Sequence, residues 1–66
     1  MTLLNLEVVR TGNYWAIYNH DAGMYLYKTH DFASNITSWT ASTMVHWYAP
    51  DERTAINYMD KIAFAA

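Results

Sequence analysis

The sequence predicts an α+β domain: an antiparallel sheet of three to four strands, a β-meander plus one further strand, with a C-terminal helix packed on one face. Three observations predict it. Residues 14–29 read as two strand-like runs around a turn, residues 3–9 alternate loosely ahead of them, and an apolar stripe at helical spacing follows Pro50. The 66 residues are read as a single small α+β domain, 1–66, close to the lower limit at which a chain buries enough surface to fold alone.

In the first strand, residues 3–9, Leu4, Leu6 and Val8 fall on one parity and Leu3, Asn5, Glu7 and Val9 on the other. Gly12 and Asn13 supply turn chemistry, since both tolerate positive φ. The second strand covers residues 14–19 and the third residues 24–29, both rich in the aromatic side chains that strands favour. A three-residue loop of Asp21, Ala22 and Gly23 needs only Gly23 in the left-handed region, which sets His20 opposite Met24. In that register Tyr14, Ala16, Tyr18, Met24 and Leu26 share one face with Lys28 at its edge, and Trp15, Ile17, Tyr25 and Tyr27 share the other.

Between 30 and 42 the chain turns small and polar. Phe32, Ile36 and Trp39 recur at i, i+4 and i+7 behind Asp31 as an N-cap, which suits a short helix, while the serines and threonines suit an irregular segment. Residues 43–48 read as a fourth strand. The helix begins near Pro50, with Asp51 and Glu52 at the positive end of its dipole, and carries Ala55, Ile56, Met59, Ile62, Ala63 and Ala66 as its stripe, widened by Tyr58 and Phe64. Its length of about 15 residues spans ~22 Å.

Composition narrows the function. Apolar residues make up 53 % and aromatics 17 % of the chain, charged residues only 15 %, so disorder is excluded. The formal charge is −2, with no basic cluster to meet phosphates, and the Lys/Arg-Gly-Phe/Tyr signature of an RNA-stacking sheet is missing, which disfavours nucleic acid as a partner. The chain has no cysteine, so disulfide staples and thiolate zinc sites are excluded and oligomerisation or complex formation is the remaining aid to stability. That usage fits a reducing cytoplasm, the host's if the chain is viral. No basic leader and no window of ~18 apolar residues is present, so the expectation is a soluble protein without a membrane partner.

Catalytic chemistry finds little support. The pairs His20-Asp21 and His30-Asp31 bracket the third strand, and ten residues of extended chain separate them by about 33 Å, too far for one metal. The aspartates read as turn and cap residues. The only glycines are Gly12 and Gly23, so no phosphate loop exists, and no nucleophile elbow or Ser-Lys pair appears. No catalytic residue, metal ligand or cofactor is assigned, and the expectation is that the chain is not an enzyme.

The aromatic hairpin is the candidate site. Large side chains occupy both parities of residues 14–29, whereas one ~22 Å helix covers one side of a sheet. One face is core; the other needs the 30–42 segment, a second subunit or a partner. Tyrosine and tryptophan suit protein contacts because they combine large apolar area, a polar handle and few rotatable bonds. The expected contact residues are Trp15, Tyr25, Tyr27, His46 and Trp47. The leading expectation is a small protein-interaction module, in form suited to a virus-encoded inhibitor of a host or defence protein and compatible with homo-oligomers. The alternative is an oligomer holding a small nucleotide-like ligand in an aromatic pocket between subunits.

Overall fold

Turn chemistry and alternation place the strands. The computed structural model describes residues 5–65, with side chains to 64. The elements are β1 (Leu6–Thr11), β2 (Tyr14–Asn19), β3 (Met24–Leu26), β4 (Trp39–Thr40) and α1 (Glu52–Ala65). The four strands form one antiparallel sheet in the order β1-β2-β3-β4, so the expected α+β architecture is the observed one. Leu3, Leu4 and Ala66, which the sequence assigns to the first strand and the helical stripe, lie outside the described residues.

β1 and β2 are joined by a two-residue loop. Gly12 takes its first central position at φ 62°, the place where a type II′ turn calls for glycine. Pairing runs unbroken from Leu6 opposite Asn19 to Thr11 opposite Tyr14. The second turn differs from expectation: Asn19, not His20, stands opposite Met24, and Tyr18 stands opposite Tyr25. The cause is local. The Asn19 side-chain oxygen accepts the N–H groups of Asp21 and Ala22, and its carbonyl accepts that of Gly23 at 2.8 Å, which closes a four-residue loop with Gly23 at φ 67°.

This one-residue slip exchanges partners between the faces, because opposed residues share a face. Leu6, Val8, Arg10, Trp15, Ile17, Asn19, Met24, Leu26 and Trp39 lie on one side, and Glu7, Val9, Thr11, Tyr14, Ala16, Tyr18, Tyr25 and Thr40 on the other. The first side meets the helix. Ile17, Leu26 and Ile62 are its fully buried centre, surrounded by Leu6, Val8, Trp39, Trp47, Tyr58 and Met59.

The strand expected over 43–48 is replaced. Ser42 Oγ accepts the N–H groups of Met44 and Val45, which bends the chain there, and the fourth strand is the short β4 instead. The chain re-enters the sheet further on. Trp47 N–H reaches Leu26 O at 2.8 Å, and Ala49 exchanges both backbone bonds with Trp15, at 2.9 and 2.7 Å. Residues 47–49 thus fill the gap that opens where β3 leaves β2.

No helix forms over 31–39. Asp31 and Ile36 bridge each other, Asp31 Oδ1 accepts the N–H groups of Ala33 and Ser34, and Asn35 sits at φ 55°. The Asp31 carboxylate favours this closed turn over a helical one. Ser34, whose hydroxyl and N–H both donate to it, holds that carboxyl below its ordinary value.

In α1, Ala55 and Ile62 are buried and Tyr58, Met59 and Ala63 half-buried, but Ile56 is exposed and Phe64 stands 92 % in solvent. The buried arc is turned toward Tyr58 because that ring stacks on Trp47, 4.9 Å between centroids. Asp51 caps the helix by accepting Thr54 N–H at 2.8 Å. The backbone and side-chain bonds from Thr54 hold its carboxyl below 3.8. The cap's contribution is therefore complete above pH 3.8 and lost as pH falls through the lower folded value. Asp51→Asn, which keeps a capping oxygen but no titrating proton, is expected to flatten the acid limb of melting temperature against pH in that window.

Candidate functional site: the aromatic outer face

The outer face of the sheet, away from α1, is built from three elements. β2 presents Tyr14, Ala16 and Tyr18, β3 adds Tyr25, and the re-entrant segment adds His46 and Tyr48, two residues apart on either side of the inward Trp47. The rings touch in two groups, a Tyr14–Tyr48 pair and a series from His46 through Tyr25 and Tyr18 to His20. Tyr48 lies 4.7 Å from Tyr14 in a tilted pair, His46 stacks on Tyr25 at 4.9 Å, Tyr25 meets Tyr18 edge-on at 5.0 Å, and Tyr18 meets His20 edge-on at 4.9 Å. His20 Nε2 donates in turn to Glu7 Oε1 at 2.6 Å, forming an ion pair when the ring is protonated. His46 is oriented by the backbone of the next residue: Nδ1 donates to Trp47 O at 2.9 Å, which leaves Nε2 of the neutral ring as an acceptor.

Ala16 on this face is completely buried, while Tyr14 and Tyr48 remain 47 % and 57 % exposed. Neighbouring Met44 and Val45, on the loop that Ser42 ties, are also exposed. The face combines apolar area with phenol and imidazole groups and carries one acid, Glu7, from β1. It can stack on, and hydrogen-bond to, another surface. Among the described residues no cluster of three or more His, Cys, Asp or Glu side chains is arranged for a metal.

Of the five residues singled out from the sequence, Tyr25 and His46 come together here. Trp15 and Trp47 turn to the helix side instead: Arg10 lies over the Trp15 ring at 5.9 Å, and Trp47 packs on the core. The four-residue loop sets Trp15 and Ile17 on the side of Met24 and Leu26 and leaves Tyr25 on the opposite side with Tyr14 and Tyr18. Tyr27 is exposed just beyond β3, its N–H donating to Ser38 O. Tyr14, Tyr18 and Tyr48 belong to the site and were not foreseen. The i, i+2 spacing of His46 and Tyr48 is the one signal that pointed to Tyr48.

A second polar constellation is structural in geometry. His30, only 6 % exposed, pairs Nδ1 with the Thr37 hydroxyl at 2.6 Å and Nε2 with Asn35 Oδ1 at 3.1 Å, and its backbone N–H donates to the Tyr58 hydroxyl at 2.7 Å. Since Asn35 Oδ1 only accepts, Nε2 carries the hydrogen and Nδ1 accepts from Thr37. Both ring nitrogens and the backbone N–H of this histidine are thus engaged within the chain. A shallow groove of about 330 Å³ lies on the helix, lined by Glu52, Arg53, Ile56 and Asn57, with none of the aromatic rings. Among the described residues no helix is long and apolar enough to cross a membrane. Compared with known protein families, with curated proteins and with solved structures, the chain matches none.

Proposed function

We propose that this chain is a small non-enzymatic interaction module that binds a protein partner through the outer face of its sheet. The observation that carries the reading is the half-exposure of the paired rings Tyr14 and Tyr48 on the side of the sheet opposite the helix. Rings that served only as core would be sealed. Tyrosines held by neighbouring rings lose little side-chain entropy on contact, which is why such groups dominate binding energy at interfaces. Action as an inhibitor of the bound protein is the form of activity that a module without its own chemistry would have.

The test is affinity capture from native lysate with the wild-type chain and the Tyr14→Ala/Tyr48→Ala double variant side by side. Truncation of one interface tyrosine costs about 2 kcal/mol where it anchors contact, or roughly 30-fold in affinity, so the double variant is expected to lose the captured protein. Phe64→Ala, at the exposed end of α1, is expected to retain it. Circular dichroism should show all three folded. A partner held equally by the double variant would remove the outer face from the function.

A further inference from the structure

We infer that two copies of this chain pair antiparallel through the free edge of β1, with Val8 against the partner's Val8, joining two four-stranded sheets into one. The inference stands apart from the reading of the aromatic face.

The free edge is defined by where the backbone bonds go. Trp15 gives both its N–H and its C=O to Ala49, on the side of β2 away from β1. By the alternation of an antiparallel ladder its opposite residue, Arg10, therefore makes no backbone bonds with β2, and neither do Val8 and Leu6. The N–H and C=O groups of Leu6, Val8 and Arg10 point away from the sheet, and among the described residues no strand pairs with them. The opposite edge of the sheet, β4, is only two residues long. Short edges, bulges, proline and lysine are the usual means of keeping sheet edges apart. β4 uses the first of these, while β1 has no bulge, proline or lysine over its six residues, Leu-Glu-Val-Val-Arg-Thr, and its two charges, Glu7 and Arg10, are of opposite sign.

The sequence of that edge suits a twofold axis. Leu6, Val8 and Arg10 are evenly spaced, so an axis through Val8 places Leu6 opposite the partner's Arg10 and matches every outward donor to an acceptor. Glu7 then stands opposite the partner's Val9, and no like charges face each other directly. Moving the axis one outward residue on would set Arg10 against the partner's Arg10, which repulsion disfavours. Because the axis runs perpendicular to the sheet, both aromatic faces end on the same side.

Sedimentation of the full chain over a concentration series tests the pairing, and charge at position 9 tests its register. Wild type is expected to pass from monomer to dimer as concentration rises. Val9→Lys, opposite the partner's Glu7 twice per dimer, is expected to tighten the dimer about fivefold, and Val9→Glu to weaken it by a similar factor. Adding Glu7→Lys to Val9→Glu should restore it, with circular dichroism confirming the fold of each. A chain that stays monomeric up to its solubility limit, or a dimer indifferent to both charges at position 9, overturns the inference.

Discussion

Ile17→Ala is expected to remove about half of the stability of the fold. Ile17 has no exposed surface and sits at the centre of the core with Leu26 and Ile62, between the helix and the sheet. Removing its branched side chain forfeits transfer energy and leaves a cavity, about 2–5 kcal/mol in total. A chain of this length carries roughly 3–10 kcal/mol of stability. The loss is thus a large share of the whole, because the fully buried large side chains are so few. Ile17→Val, which keeps the branch, should cost only about 0.5–1.5 kcal/mol. Urea unfolding followed by circular dichroism separates the two. An Ile17→Ala midpoint matching that of Ile17→Val would mean that the site collapses around the smaller residue and that the core is not organised on Ile17.

The same core shows what was legible beforehand. β2 begins and ends where the sequence places it, because Gly12-Asn13 before it and Asn19 to Gly23 after it confine the aromatic run. The helix was legible for a similar reason: Asp51 ahead of a run at i, i+3, i+4 spacing has no competing use. The register of the second hairpin was not legible. Asn19 and His20 can each end a strand, and the choice rests on the Asn19 side chain capturing two N–H groups, an interaction indifferent to apolar pattern. Since both parities are aromatic, the pattern could not arbitrate, and Trp15 was grouped with Tyr25, which the structure places on the opposite side. The 43–48 run misled for the opposite reason. Its β-branched and aromatic content is real, but Ser42 captures the backbone at Met44 and Val45, so extended structure resumes only around Trp47. An aromatic sheet face away from the helix was therefore legible, while which β2 rings share it with Tyr25 was not, by one residue of register.

Tyr58→Phe is expected to destabilise the fold by about 1–3 kcal/mol although it removes a single oxygen. The Tyr58 hydroxyl accepts the backbone N–H of His30 at 2.7 Å, across 28 residues of chain, and fastens the 30–37 turn to the helix. Phenylalanine keeps the stack on Trp47 and the edge contact with Phe32 at 6.2 Å, so apolar packing is unchanged. What remains is a donor in a buried residue without an acceptor, and the cost is that of its desolvation. His30 cannot move outward to recover it, since both ring nitrogens are tied to Thr37 and Asn35. Amide hydrogen exchange gives the local readout: the His30 N–H should lose protection in Tyr58→Phe by more than the global change accounts for, while Ile17 and Leu26 follow the global change alone. Unaltered His30 protection, together with an unaltered urea midpoint, would show that the turn is held by its own Asp31, Asn35 and Thr37 contacts rather than by the helix.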